Sequence, residues 1–537
     1  MLMKYNFTQK HFYMIFAAVL LLQCLIIIGW GTRKENYNID ELFTLEGSKQ
    51  GGYGMLYWDL QDGFYGSEHT PEEFQDWFTT YPDELLIHQG TETIIDALLH
   101  REFYYVLVNL ATTFYPGQMT YWIGTGLNML LFILAQIVLY SIAHKIKGNL
   151  CALLTTGIYG FSAGAVSTVL FNRCYMLLTL LSLISVYLYL QFPELKQTQK
   201  KICSLLAFYF VFFISYRTHQ FGFVLYGITT ILFLGYYMIK GKRASALWII
   251  LGHGLPALSG IFFFYDKVID LFAGGVADLF WDMLSKSDLQ DFINRIYFII
   301  TAISKHLFSH FRYMLILACL FVFFGIFKYA GNPKHFKTVI KQHFLWITLL
   351  LLPVLYYAVL VMGGAVGHVY SWKYLSPLYP VILLLTVLTF MTVIRNMKYA
   401  KMITASFILL FVSITGISYY EIHISELYQG DKALKEEVNH KFQGEDGILV
   451  QLDTSGEISL YMPALLWPDN CSVLTLYHSS FADEITHYTN SNDKILLWLT
   501  SDYEHGQIID QLKTHTDYTN VVLAFSTPYA YVYECSK

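Results

Sequence analysis

Long apolar runs alternate along the chain with short breaks rich in lysine and arginine. Runs of spanning length fall at 12–30, 119–143, 149–170, 174–192, 202–217, 219–239, 245–265, 309–328, 343–363, 374–394 and 401–420. Each covers about 30 Å of hydrocarbon as a helix. Lipid offers backbone groups no partner, so such runs must be helical. The pattern predicts eleven transmembrane helices. The 202–217 run is short and reads as tilted or interrupted. The run from Phe12 to Trp30 follows Lys4 and Lys10, exceeds a signal-peptide core and precedes no small-x-small pattern. It reads as a retained first span.

The basic breaks set the orientation. With the N-terminus in the cytoplasm, cytoplasmic loops hold Lys145 and Lys147; Lys196, Lys200 and Lys201; Lys240, Lys242 and Arg243; Lys328, Lys334, Lys337 and Lys341; and Arg395, Lys398 and Lys401. That is the positive-inside arrangement. Two long loops, 31–118 and 266–308, then lie outside with everything from about 421. Periodic apolar residues around 70–80 and 92–101 predict amphipathic helices lying along the membrane surface. Segment 102–115 is too short to span and is expected to dip into the interface before Pro116-Gly117 turns the chain. Beyond 420 the period changes. Gly447–Asp453, Cys471–Tyr477, Lys494–Thr500 and Val521–Phe525 read as strands and Gly506–Lys513 as a helix. The predicted fold is an α-helical polytopic membrane protein, with a transmembrane domain over 1–420 and a small α/β extracytoplasmic domain over 421–537.

Composition agrees with lipid as the main solvent. Of 537 residues, 55% are hydrophobic and only 14% charged, against about 25% charged in soluble proteins. A net charge of −5 is small for this length and gives no reason to expect a nucleic-acid partner. Seven cysteines include no C-x-x-C pair. Cys24, Cys151, Cys174, Cys203 and Cys319 lie in or beside apolar runs and read as packing residues. Cys471 and Cys535 share the C-terminal region and could pair in an oxidising compartment. There is no internal repeat and no low-complexity tract.

Charges outside the cytoplasmic anchors are the candidates for chemistry, because an ionisable group at a membrane is costly and usually functional. Asp40 and Glu41 stand just beyond the first span. Adjacent carboxylates could act as a general base and as a metal or substrate ligand. Spacing alone favours the plainer reading, in which Asp40 caps a helix running through Leu42, Phe43 and Leu45. Asp96 and His100 lie four apart, so a helix puts them on one face, where decoration of the interface outweighs a metal or phosphate site. Arg173, Arg217 with His219, and Lys373 place cations in three short outer loops. Each could be a snorkelling side chain. Their common depth equally suits an anionic lipid headgroup, for which arginine has the forked geometry. Tyrosines crowd the same face, Tyr104, Tyr105 and Tyr374 among them; sugar-binding sites and interfacial belts both use them.

The order of these features resembles the GT-C superfamily of membrane glycosyltransferases, in particular the branch of protein O-mannosyltransferases and the lipid A aminoarabinose transferase. Ile39-Asp40-Glu41 matches the acidic pair after the first span. His100-Arg101-Glu102-Phe103-Tyr104-Tyr105, running to Phe114-Tyr115-Pro116-Gly117, is similar to the His-Pro-Pro-Leu-Tyr-Tyr type segment. Arg173-Cys174-Tyr175-Met176-Leu177 and Thr218-His219-Gln220-Phe221-Gly222 resemble two later blocks. Lys373-Tyr374-Leu375-Ser376-Pro377-Leu378-Tyr379-Pro380 resembles the last. The likeness covers about residues 1–420. Arg101-Glu102 replace the prolines, Leu98 stands where the family has an acid, and Lys373 replaces an arginine.

The resemblance implies transfer of a sugar from a polyprenyl-phosphate-linked donor to a lipid, polysaccharide or protein acceptor of the cell envelope, on the outer face of a plasma membrane. Asp40 would be the general base, with inversion at the anomeric carbon. Arg173, Arg217, His219 and Lys373 would hold the donor phosphate. Glu41, with Asp96, His100 or Glu102, could bind a divalent metal cation or the acceptor, beside Tyr104, Tyr105 and Tyr374. Two rival readings remain: a lipid-linked-sugar transporter or flippase without chemistry, and a catalytically inactive scaffold of the same fold.

Overall fold

A computed structural model describes residues 9–49, 68–100, 102–263, 289–310, 336–362, 371–395, 397–441, 447–453, 471–477, 481–489, 492–500, 504–526 and 530–537. The chain is a multi-pass membrane protein, mostly helical, with a small C-terminal sheet. Among the described residues eight helices are long and apolar enough to cross a membrane: Gln9–Gly31, Trp122–Lys147, Tyr175–Glu194, Thr198–Thr218, Gln220–Ile239, Phe344–Met362, Trp372–Ile394 and Ala400–Tyr420. A further 21-residue helix, Arg243–Phe263, occupies the place of the predicted 245–265 span. Tyr175–Glu194 is the central one, 78% buried inside the protein, whereas Gln9–Gly31 and Ala400–Tyr420 are 11% buried and present their apolar side chains to lipid.

Four expectations are corrected. The 202–217 run is neither short nor interrupted, because its helix begins in the basic break at Thr198 and carries Lys200 and Lys201 in its first turns. The 149–170 run is two helices, Asn149–Phe161 and Ala163–Leu170, bent by 59°. Ser162 makes the break: it takes an extended conformation and its hydroxyl caps the second helix at the Ala165 N–H. The end of the predicted 266–308 loop is an amphipathic helix, Leu289–Phe308, whose C-terminal half is buried. Cys471 and Cys535 stand on strands three steps apart in the sheet, about 14 Å at the usual strand spacing. That is beyond disulfide reach. Most of the predicted 309–328 span, and Cys319 with it, lies outside the described residues.

The C-terminal sheet has the order β1-β3-β2-β4-β6-β5. β2 (Gly447–Asp453) lies between β3 (Cys471–Tyr477) and β4 (Lys494–Thr500), parallel to both. β6 (Ala530–Ser536) and β5 (Asn520–Ser526) continue antiparallel. The helix His505–His515 buries Ile508 and Leu512 against Leu497 and Leu499. β1 (Glu68–His69) comes from the loop after the first span and pairs with β3, so that loop supplies an edge of the sheet.

Polar pairs set the spacing of helices in the apolar interior. Gln23, in the first span, donates to the carbonyl of Thr156 (3.0 Å), and Gln136, in the next, donates to the same carbonyl and to Gln23 Oε1. Both glutamines lie across Gly160, where a Cβ would stand 2.2 Å from Gln136 Nε2 and 2.3 Å from Gln23 Cδ. Gly160→Ala is therefore expected to lower stability by about 1–3 kcal/mol through overpacking, seen as a lower thermal midpoint in detergent; an unchanged midpoint would show that the amides do not fix this contact.

Candidate active site

At the end of the bundle where the first span emerges, six segments converge: residues 32–38, the helices Ile39–Ser48 and Phe103–Thr112, the loop 171–174, His219, and the 3₁₀ helix Trp372–Leu378. The helix Ile39–Ser48 begins in a capping box. Asn38 Oδ1 accepts from the Asp40 N–H (2.9 Å), and Glu41 Oε2 accepts from the Asn38 N–H (2.7 Å). The cap is thus Asn38, not Asp40 as spacing suggested, and the Asp40 side chain is left for other partners. Glu41 is turned inward. Its Oε1 accepts from Lys34 Nζ and from the Asn172 N–H (2.7 Å), and neither the Glu41 nor the Lys34 side chain is exposed. Both of its oxygens are thus engaged within the protein. Lys34 also donates to the Leu170 carbonyl (2.9 Å), so the pair fastens the Asp40 helix to the loop that carries Arg173.

Asp40 points the other way, its side chain 21% exposed and paired with Lys373. Burial raises its carboxyl, but Arg173 and Lys373, the latter also through its hydrogen bond, outweigh it and hold the carboxyl below its ordinary value. Arg173 donates to Thr44 Oγ1 (3.1 Å) and Tyr105 Oη (2.9 Å), while its Nε is buried without a hydrogen-bond partner. Burial lowers its pKa, and Tyr105, Asp40 and Glu102 more than restore it. Glu102 therefore faces the same guanidinium. Tyr105 packs across Gly47, where a Cβ would be 2.6 Å from its ring. Tyr104 is turned inward and donates to Asn128 Oδ1 (3.0 Å), a structural role.

His219 separates two spans in an extended conformation, and its Nδ1 caps the second by accepting from the Phe221 N–H (3.1 Å). That places the ring proton on Nε2. Burial, with Arg173 and Lys373 nearby, pushes its pKa down to about 3, so the ring is neutral. Arg217 is buried in the last turn before it. Lys373 Nζ lies 5.3 Å from the centroid of Tyr374 and 5.8 Å from that of Phe171, and Tyr374 leans on Tyr175, Phe221 and His219. Asp40, Arg173, His219 and Lys373 are thus one cluster. Asp96 and His100 share the helix Thr91–His100, but their side chains lie outside the described residues. Among the described residues no group of three His, Cys, Asp or Glu could hold a metal ion.

Sequence reading missed the supports. Asn128 Nδ2 donates to the carbonyls of Val169 and Phe171, and Asn172 donates to that of Tyr121, which fixes the Arg173 loop. A strap after the last span also packs beside the cluster, bonded to Asn38 and Trp372. In it Glu426 takes the left-handed conformation at φ +65°, accepting from Asn38 Nδ2 (3.1 Å), Tyr428 Oη and Trp372 Nε1 (3.3 Å). It thereby links the cap of the Asp40 helix to the neighbour of Lys373. A non-glycine residue held at such an angle marks a place where surroundings over-determine the backbone.

No protein-family model and no curated protein sequence matches the chain. Among solved structures it is similar to ArnT, the lipid A aminoarabinose transferase, of Cupriavidus metallidurans bound to undecaprenyl phosphate, at 10% identity and TM-score 0.49 over 98% of both chains. It is also similar to the Archaeoglobus fulgidus oligosaccharyltransferase in complex with zinc and sulfate, at 10% identity and TM-score 0.44, over 96% of this chain and 72% of the other. Both are members of the GT-C superfamily.

Two measurements test this geometry. Lys34→Met leaves Glu41 buried without its counter-charge and is expected to cost about 3–5 kcal/mol. Adding Glu41→Leu should recover only part, because the Asn38 and Asn172 N–H groups also lose their acceptor. Thermal unfolding of the single and double variants in detergent reads both. His219 titrates at about 6.5 when unfolded and about 3 when folded. The unfolded chain therefore takes up the proton first, and stability is lost as pH falls from 6.5 towards 3. His219→Gln should flatten the fall in thermal midpoint across that window; an identical pH slope would contradict a neutral buried ring.

Proposed function

We propose that this protein is a membrane glycosyltransferase. It moves a sugar from a polyprenyl-phosphate-linked donor to a cell-envelope acceptor on the outer face, with inversion. The observation that carries the reading is the partly exposed Asp40 carboxylate set against Arg173, Lys373 and His219 in one cluster beside the membrane-spanning bundle. The motifs that resemble the GT-C superfamily fall on these same positions.

In this reading the polyprenyl tail lies among the spans and its phosphate meets the cations. Arg173 has a guanidinium nitrogen still without a partner, Lys373 an ammonium at the rim, and neutral His219 an Nε2–H to donate. Arg217, two residues before His219, is a further candidate for the phosphate. Asp40 accepts the proton of the acceptor hydroxyl or amine. The acceptor atom bonds to the anomeric carbon from the face opposite the phosphate. The bond from that carbon to the phosphate oxygen breaks, and the phosphate leaves with the electron pair. Cations fixed at the oxygen where charge develops gain strength in a water-poor site and need no reorganisation. Glu41 is a positioning residue, holding the helix that carries the base. Basic cytoplasmic breaks put the site, the strap and the C-terminal sheet on the outer side.

The test needs no knowledge of the acceptor. Membranes holding the wild type are given synthetic polyprenyl-phosphate hexoses and pentoses, and release of polyprenyl phosphate is followed. Wild-type membranes should release it from at least one donor. Asp40→Asn should lower turnover by at least about 10²-fold, the lower range for loss of a general base, while lipid-phosphate binding persists. Turnover untouched by Asp40→Asn defeats the general-base assignment. Transport without release favours a flippase, and neither favours a scaffold.

A further inference from the structure

In this structure Lys373 is engaged with the base. Its ammonium is hydrogen-bonded to Asp40 Oδ2 and flanked by the rings of Phe171 and Tyr374. The pair is mostly sheltered, with 15% of the Lys373 side chain and 21% of Asp40 exposed. Asp40 has no second ion pair among the described residues; Arg173, whose charge also reaches it, is hydrogen-bonded to Thr44 and Tyr105 instead. A carboxylate whose oxygen holds an ammonium is a weaker proton acceptor.

We infer that the donor phosphate takes Lys373 away from Asp40, so that the donor binds first and its binding opens the base to the acceptor. This rests on the proposed transferase reading and gives that site its order of events. Lys373 keeps its proton throughout and only changes anion. Asp40, released, accepts the acceptor's proton as the bond to the anomeric carbon forms. The bond from that carbon to the phosphate oxygen breaks, and the charge arriving on the phosphate falls beside the ammonium that has just moved there. Without a donor the base stays paired with the ammonium.

The swap makes a prediction opposite to that of a simple site. Removing the carboxylate should tighten phosphate binding, because Lys373 no longer has a competitor. Affinity for polyprenyl monophosphate is measured on the full chain in nanodiscs for wild type, Asp40→Asn, Lys373→Gln and the double variant. Asp40→Asn is expected to tighten binding about tenfold, and Lys373→Gln to weaken it by a similar factor. In the Lys373→Gln background Asp40→Asn should change affinity no more than about twofold, the non-additivity expected of residues that share a partner. An Asp40→Asn effect of equal size in both backgrounds would reduce the result to charge repulsion and overturn the swap. So would unchanged or weaker binding in Asp40→Asn. Asp40→Ser repeats the measurement should the amide itself disturb the fold. Inorganic phosphate, run in parallel, separates recognition of the phosphate group from recognition of the lipid, and the same non-additivity is expected in either case. The cycle needs no sugar transfer, so its failure is separate from that of the transferase reading: transfer without the non-additivity removes the swap alone.

Discussion

The end of this protein that carries the candidate site depends on one buried ion pair. Lys34 and Glu41 are seven residues apart, yet between them they reach the cap of one helix, the last carbonyl of another and the loop that follows it. Two opposite charges removed from water are costly to bury and rarely stabilise by themselves. What they supply is direction: a mismatch in any partner leaves a charge unsatisfied in a dry place, so only one arrangement of the three segments is tolerated. Because Glu41 is drawn inward, its neighbour Asp40, about 100° round the same helix, must look outward. The acidic pair is therefore two residues with opposite duties, one fixed by having all its partners and the other useful for having few.

The cations opposite are held by aromatic and hydroxyl groups as well as by carboxylates. Tyr105 and Thr44 take two of the hydrogen bonds Arg173 can give, and Phe171 and Tyr374 flank Lys373 with their π faces. Such partners fix position without neutralising charge. The result is two cations whose positions do not depend on their carboxylate neighbours alone. His219 adds no charge to them. Burial first, and then the same cations, keep it neutral, with its ring proton on Nε2.

The spans were legible in the sequence because lipid imposes a strong rule of length and polarity. Sequence also singled out the four members of the cluster, Asp40 as an acid just beyond the first span and the other three as basic residues in short breaks that the positive-inside pattern leaves outside. What it could not supply was connection. The roles of Asp40 and Glu41 look interchangeable until Lys34 and Asn172 are seen to claim one of them, and those partners are 7 and 131 residues distant in the chain. Asn128 and Glu426 carried no signal at all. An asparagine in a helix and a glutamate in a short polar stretch are common, and only long-range contact shows that the first fixes a loop and the second joins two sides of a site. β6 was missed for a different reason: Glu534 interrupts its apolar pattern, although Tyr531, Val532 and Tyr533 carry the aromatic and β-branched character of a strand.

The bend at Ser162 shows why a broken span suits this site. A straight helix from Asn149 would carry its end along the bundle axis, away from Lys34. By stopping at Phe161 and restarting at Ala163 with a 59° turn, the chain delivers the Leu170 carbonyl to Lys34 and, two residues on, the Asn172 N–H to Glu41. The short second helix is buried throughout its length, so its polar ends cannot be satisfied by water. They are met by Ser162 at one end and by Lys34 and Asn128 at the other. The helix break, the buried charge pair and the position of Arg173 are thus parts of a single solution. The backbone groups freed by breaking a membrane helix have to find partners, and here those partners also aim the residues of the site.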